Sequence, residues 1–356
     1  MRKQLNETAK FQLLKIVKGL KATRNERPLN RKLRVLSIDG GGIRAILPAM
    51  MLAELEERLK KESGNPATSI VDHFDLFAGT SAGAILISLY LTPSEDDPQK
   101  PRYTAREVLE IYLRDGCASF LPVNLNAPKS RSEKYCANTL EQKLQYLLGK
   151  TTHLGQLLKP ALITAFNTAT ETPVYFKSWE KTACETWQVV RASSAAPGMF
   201  RPAVVDGYHP GEPLIDGSVF AGNPAMCAYA LATSTCFSKI ANCSSFKDFP
   251  EAKDMVLFSL GTGKEAACAA AQKTSWIRSM MKNLMSSGIG LVDHQLRQLF
   301  SAHEKGSYFR FNPTLPTISN DIDNVGTNNV EALCQIGKKY LIENENSMLA
   351  LVKAVV

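Results

Sequence analysis

The chain has 356 residues, 44% of them apolar and 21% charged, and carries a net charge of +8. This length predicts one large or two ordinary domains with a sizeable core, and the composition excludes a disordered chain, a collagen-like fibre and a coiled coil. No window approaches eighteen uninterrupted apolar residues, so no transmembrane helix is expected.

Residues 1–34 hold eleven basic residues against Glu7 and Glu26, a surplus of nine that leaves the remaining chain close to neutral. A basic segment of this kind suits an anionic partner, a membrane surface or a nucleic acid, and equally suits a solvated tail on the core. Leu13, Ile16, Val17 and Leu20 recur at helical spacing within 8–21, with Lys15 and Lys18 on the other side. That amphipathic pattern fits a helix on a membrane surface or one packed on its own core. Residues 22–33 read as a linker around Pro28. Lys15 and Lys18 interrupt Phe11–Leu20 and no clean cleavage site follows, so no Sec signal peptide is expected. A cytoplasmic or peripheral membrane location is expected, with non-classical secretion left open.

Val35–Ile38 reads as a buried strand entering the glycine turn Asp39-Gly40-Gly41-Gly42, followed by a helix. In that helix Pro48 lies near the first turn, and Met51, Leu52, Leu55 and Leu59 are the apolar positions. Leu76–Ala78 is a second strand, Gly79–Gly83 a turn and Ala84–Leu91 an apolar helix. Two strand–turn–helix units in succession predict α/β layers with parallel pairing. Residues 92–135 are irregular and polar, a lid or a surface insertion, with one helix around Ala105–Leu113. Further on, Leu140–Leu148 reads as a helix, and Ala161–Phe166, Pro173–Phe176 and Met255–Leu260 as strands. Trp276–Phe300 is helical around a break at Gly288 and Gly290, and Glu331–Ile342 closes the fold. No domain boundary is evident inside 34–345.

The eight cysteines form no CxxC pair in a chain too large for a disulfide scaffold, and read as mostly reduced thiols. The five histidines show neither HxxxH nor HExxH spacing, so no metal site is indicated.

Three constellations carry possible chemistry. Gly79-Thr80-Ser81-Ala82-Gly83 is a GxSxG string in strand–turn–helix context, where small residues permit the sharp turn that exposes a nucleophilic serine. Asp39-Gly40-Gly41-Gly42-Ile43-Arg44 presents successive backbone N–H groups at a helix start, a nest for an anion. It serves either as a dinucleotide fingerprint through Gly40, Gly42 and Ala45, or as an oxyanion hole for acyl transfer. Asp39 would crowd a pyrophosphate, and the serine-bearing turn favours acyl transfer. Leu214-Ile215-Asp216-Gly217-Ser218 ends a short apolar run in an aspartate, which becomes a useful base if burial raises its pKa and is otherwise a turn former. A Ser–His–Asp triad of Ser81, Asp216 and His294 or His303 matches the chain order of α/β-hydrolases, although His294 sits in a helical stretch.

At these three motifs the chain resembles the patatin-like phospholipase family. Weaker echoes are Ala192-Ser193-Ser194-Ala195-Ala196-Pro197 ahead of the aspartate, Asn223-Pro224 after it, and Ser259-Leu260-Gly261-Thr262-Gly263. The resemblance spans roughly 33–345. It implies a catalytic domain over 33–345 between a basic segment at 1–32 and a C-terminal tail at 346–356. The implied fold is a three-layer α/β/α fold with a mostly parallel central sheet. The implied site is a Ser–Asp dyad without histidine, with Ser81 as nucleophile and Asp216 as general base. The amides of Gly40, Gly41, Gly42 and Arg44 would form the oxyanion hole. The implied reaction is hydrolysis of phospholipid or lysophospholipid acyl esters through an acyl-serine intermediate, with no cofactor or metal. Two positions depart from the family pattern. Ala45 stands where glycine is common, and Ser218 stands where the family has glycine or alanine, adding a hydroxyl able to alter the base's pKa.

The implied partners are the lipid substrate, a membrane surface reached through the basic N-terminus, and a protein or small-molecule activator; nucleic acid is not expected. Alternatives are a non-catalytic lipid-binding protein that kept the fold, an α/β-hydrolase esterase, and a nucleotide-binding oxidoreductase built on the Gly40–Ala45 turn.

Overall fold

The computed structural model describes residues 31–114, 134–180, 182–265, 276–302, 307–316 and 322–356. The basic segment up to residue 30, residues 115–133 of the irregular stretch, His303, Cys117 and Cys268 lie outside the described residues.

The strands are β1 (Leu33–Ile38), β2 (Leu76–Thr80), β3 (Ala161–Asn167), β4 (Thr172–Lys177), β5 (Leu214–Asp216), β6 (Met255–Leu260), β7 (Lys264–Glu265), β8 (Ser307–Phe311) and β9 (Thr314–Leu315). The longer helices are α1 (Ile46–Ser63), α2 (Ala82–Leu91), α3 (Ala105–Arg114), α4 (Ala137–Leu148), α5 (Thr186–Ser193), α6 (Ala225–Ser234), α7 (Trp276–Ser301), α8 (Thr327–Glu343) and α9 (Glu345–Val355). The main sheet has the order β4-β3-β2-β1-β6-β8, with β5 added to β3. From β3 to β8 every neighbouring pair is parallel, whereas β4 and β5 run antiparallel to β3.

Alternation along each strand divides the core into two layers. Leu36 and Ile38 of β1 pack on one side with Ile46, Leu52 and Leu55 of α1, Leu86 of α2 and Leu144 of α4. Leu33 and Val35 pack on the other side with Ala228 of α6 and with Leu296 and Phe300 of α7. Strands buried on both faces need apolar residues at consecutive positions, which is why β1, β2 and β6 read as apolar runs. The outcome is a mixed α/β fold with a mostly parallel central sheet, as the sequence predicts.

Two expectations are corrected. Helix α7 continues through Gly288 and Gly290 without a break. Two glycines cost a helix about 1 kcal/mol each, less than packing along its apolar face supplies. The C-terminal residues, expected as a tail, form α9, whose Met348, Leu351, Val352 and Val355 recur at helical spacing and are buried against the core. The Val355 carbonyl accepts a hydrogen bond from the Arg34 guanidinium, which ties the last turn of α9 to β1.

Register places the site. Ile38 lies beside both Gly79 and Leu260, so the turns after β1, β2 and β6 emerge side by side at one edge of the sheet. β3 then carries two partners end to end. β2 pairs with it as far as Thr164, and β5 pairs antiparallel from Ala165 onward. The C-terminal ends of β2 and β5 therefore meet head to head, which brings Thr80-Ser81 against Asp216-Gly217.

Candidate active site

Ser81 occupies the turn between β2 and α2 with φ 56° and ψ −124°. A non-glycine residue held there stores strain on the order of 1–3 kcal/mol, so its surroundings have to impose the conformation. One restraint is direct, since the Ser81 N–H donates to Ser193 Oγ at 2.9 Å. A second is steric, since a side chain on Gly83 would collide with the Ile38 carbonyl, so only glycine lets α2 start this close to β1. Next to Ser81, Thr164 and Thr80 share a hydroxyl contact of 2.6 Å, and Thr80 donates to the Ala221 carbonyl at 2.7 Å. Those bonds join β2, β3 and the turn after β5.

Asp216 is 3% exposed. Its N–H donates to the Ala195 carbonyl at 3.1 Å, and its Oδ1 accepts the Ser218 N–H at 2.8 Å. The hydroxyls of Ser81 and Ser218 lie close enough to its carboxylate to favour the charged form. Burial raises the carboxyl to about 6, while the neighbouring Ser81 and Ser218 hold it down. The structure thus brings the two sequence-predicted residues together. It also shows what the segment 192–197 does, because Ser193 orients the serine backbone and Ala195 the aspartate backbone. The sequence signal was that segment's motif, whose role could not be read without the fold.

The loop Asp39–Arg44 runs alongside. Most of its backbone amides are engaged. The Asp39 N–H donates to Leu260 at 2.9 Å, the Gly40 N–H to Gly222 at 3.0 Å, the Ile43 N–H to Ile322 at 2.9 Å and the Arg44 N–H to Gly41 at 3.2 Å. The Gly40 carbonyl accepts from Thr262 Oγ1 at 2.7 Å. Among the described residues, the amides of Gly41 and Gly42 have no acceptor. Of the four amides proposed from sequence for an oxyanion hole, the Gly40 and Arg44 amides are thus already bonded within the protein, whereas those of Gly41 and Gly42 are open among the described residues. Gly42 has φ +56°, and a side chain there would strike the Ile322 carbonyl, so the loop depends on glycine at that position. A Cβ on Gly40 would stand 3.2 Å from the Ser81 Cβ, which shows how closely the loop lies on the serine. Ala45 adopts ordinary right-handed helical angles and is fully buried, so its methyl group is accommodated.

Asp39 does not face the serine. Arg310 of β8, whose side chain is 2% exposed, grips it with two parallel bonds of 2.9 and 2.5 Å and donates to Ser259 Oγ at 2.8 Å. Burial works against the guanidinium's charge, but the Asp39 carboxylate outweighs it and holds the Arg310 pKa above its usual value. Nothing in the sequence singled out Arg310, which lies 271 positions from its partner.

His294 is exposed on α7 and, among the described residues, no histidine hydrogen-bonds Ser81 or Asp216. No described helix is long and apolar enough to cross a membrane, and the described residues contain no group of three or more His, Cys, Asp or Glu side chains placed to hold a metal ion.

A family model described as patatin-like phospholipase matches residues 36–229. Patatin group J-1 of Solanum tuberosum is 30% identical over 336 residues, covering 88% of this chain and 84% of its own. Patatin-17 of Solanum cardiophyllum is 30% identical over 337 residues with the same coverage. Among solved structures, human GIVD cytosolic phospholipase A2 aligns over 96% of this chain and 62% of its own, with 11% identity and a TM-score of 0.44. The motifs, their order and the extent of the sequence matches lead to one assignment: the chain belongs to the patatin-like phospholipase family of lipid acyl hydrolases.

Proposed function

We propose that the protein is a lipid acyl hydrolase of phospholipase A or lysophospholipase type, working through a Ser81–Asp216 dyad. The observation that carries this reading is the strained Ser81 placed against a buried carboxylate raised to about 6, beside the Gly41 and Gly42 amides, which have no acceptor among the described residues. Asp216 takes the Ser81 proton as Oγ attacks the ester carbonyl. The tetrahedral oxyanion is held by the amides of Gly41 and Gly42, and the start of α2 adds its dipole. Asp216 returns the proton to the leaving alcohol, an acyl-serine remains, and water activated by the same carboxylate releases the fatty acid. No step in this chemistry needs a metal or an organic cofactor.

The basic segment 1–32 is the proposed means of reaching an anionic membrane surface. Each lysine or arginine near such a surface contributes about 1 kcal/mol, with a strong dependence on salt. Activation by a protein or small molecule is compatible with this arrangement.

The test is fatty-acid release from mixed phospholipid vesicles by wild type, Ser81→Ala, Asp216→Ala, His294→Ala and His303→Ala. Release by wild type and both histidine variants, with none from the Ser81 and Asp216 variants, supports the dyad. A large loss from either histidine change would move the assignment to a triad, and equal release by Ser81→Ala would remove Ser81 as nucleophile.

A further inference from the structure

We infer that Thr262 is a positioning residue that aims the Gly41 N–H at the developing oxyanion; this rests on the Ser81–Asp216 reading above. The argument begins with the peptide plane. In a trans peptide the carbonyl of one residue and the N–H of the next point in opposite directions within one rigid plane, and no cis peptide occurs among the described residues. The Gly40 carbonyl and the Gly41 N–H share such a plane. Thr262 Oγ1 donates to that carbonyl at 2.7 Å, so the Gly41 N–H is turned to the side away from Thr262. There it has no acceptor among the described residues, while the adjoining Gly40 lies on Ser81.

The threonine can do this because it is itself fixed. It is 3% exposed and lies flat on Gly41, where any added Cβ would collide with its side chain. Its turn is pinned on both sides to the end of β8 and the residues that follow it. The Gly261 N–H donates to the Phe311 carbonyl at 2.8 Å, the Gly263 N–H to Asn312 Oδ1 at 2.8 Å and the Lys264 N–H to the Pro313 carbonyl at 2.9 Å. A plane held by a rigid partner needs no reorganisation when charge appears on the substrate, which is the condition for an effective oxyanion donor. Thr262 touches no reacting atom and acts through Gly40.

The experiment uses the full chain, p-nitrophenyl butyrate and the corresponding thionoester, whose sulfur accepts hydrogen bonds poorly. Wild type, Thr262→Val, Thr262→Ser, Thr262→Cys and Ser81→Ala are compared in kcat and KM, with thermal midpoints as the control for folding. Removing a whole oxyanion donor costs about 100- to 1,000-fold in kcat, so a misdirected one should cost roughly 10- to 100-fold. Thr262→Val should show that loss on the oxygen ester with little change in KM, and a clearly smaller loss on the thionoester. Thr262→Ser should stay within a few-fold of wild type, and Thr262→Cys should fall between. If Thr262→Val does not fold, the order of serine and cysteine on the two substrates decides. Equal losses on both esters, or serine as poor as valine, overturn the inference, as does full activity in Thr262→Val or Thr262→Cys. Those outcomes leave the dyad intact so long as Ser81→Ala is inactive. A wild type inert to the ester, or an active Ser81→Ala, overturns the dyad itself and the inference with it.

Discussion

The chain uses the dipeptide Asp-Gly twice at the end of a sheet strand, at Asp39-Gly40 after β1 and at Asp216-Gly217 after β5, and gives the two aspartates different tasks. Both carboxylates are buried, at 1% and 3% exposure. Burial raises both above the ordinary value, opposed at Asp39 by Arg310 and at Asp216 by the neighbouring Ser81 and Ser218. A guanidinium with two parallel bonds fixes the carboxylate charge in place and makes Asp39 part of the frame under the glycine loop. Hydroxyl and amide donors leave Asp216 able to exchange a proton near neutrality. In each case a strand that does not pair with the aspartate's own strand, not the dipeptide, decides the role: β8, beyond β6 from β1, brings a cation to one aspartate, and β2, end to end with β5 along β3, brings a serine to the other.

The largest expected effect separates the two aspartates by activity. Asp216→Asn keeps the shape of the site and removes the base, so kcat should fall about 1,000-fold or more, at the upper end of general-base effects. Measured on vesicles at pH 8 with a circular-dichroism check of folding, a loss under tenfold would show that Asp216 is not the base.

The next effect acts on the other aspartate and reads out as stability. Arg310→Met leaves the Asp39 carboxylate buried without its cation and should cost about 3–5 kcal/mol in urea unfolding. Adding Asp39→Asn to that variant should recover a large part of the loss, because a neutral amide tolerates burial better. Two single losses that simply add would mean the pair is not coupled and the comparison fails.

A smaller effect has the opposite sign. Asp216 is charged at neutral pH although its folded pKa, about 6, lies above the unfolded value. A raised carboxyl binds protons more tightly in the folded state, so its contribution to stability is full below the unfolded pKa and is lost as pH rises through about 6. Asp216→Asn should therefore be more stable than wild type at pH 8, by roughly 1–3 kcal/mol, with the difference closing between pH 6 and pH 4. Asp39→Asn should show no such gain, because it breaks the bond to Arg310.

These contrasts also mark what was legible in the sequence. β1, β2 and β6 are buried on both faces and so appear as apolar runs, and the serine and glycine turns appear because strained backbone requires small residues. Leu214–Ser218 could be noticed as an aspartate after an apolar run, but its meeting with Ser81 depends on β5 continuing the edge of β3 that β2 leaves. Strand β8, Ser-Tyr-Phe-Arg-Phe, is only partly buried at the sheet's edge and lacks an apolar run, so neither the strand nor Arg310 stood out. Engagement of the Gly40 and Arg44 amides was equally hidden, since their acceptors are backbone carbonyls, and a carbonyl carries no residue-type signal.

The finest test concerns Ser218, where the family usually has a smaller residue. Its backbone N–H holds Asp216 Oδ1 at 2.8 Å and its hydroxyl lies close enough to the carboxylate to favour the charged form. Wild-type kcat/KM should fall as pH drops through about 6, because a protonated Asp216 cannot accept the Ser81 proton. Ser218→Ala keeps the backbone bond and loses the hydroxyl, so the acid limb should move upward by less than about one pH unit, the equivalent of about 1 kcal/mol. The plateau rate at high pH should change by only a few-fold, since the base is then fully deprotonated in both proteins. Ser218→Gly should behave as Ser218→Ala does. A limb that stays in place, or moves toward acid, would mean that the hydroxyl does not favour the charged carboxylate in the working enzyme, and that the distinction between the two aspartates rests on Arg310 alone.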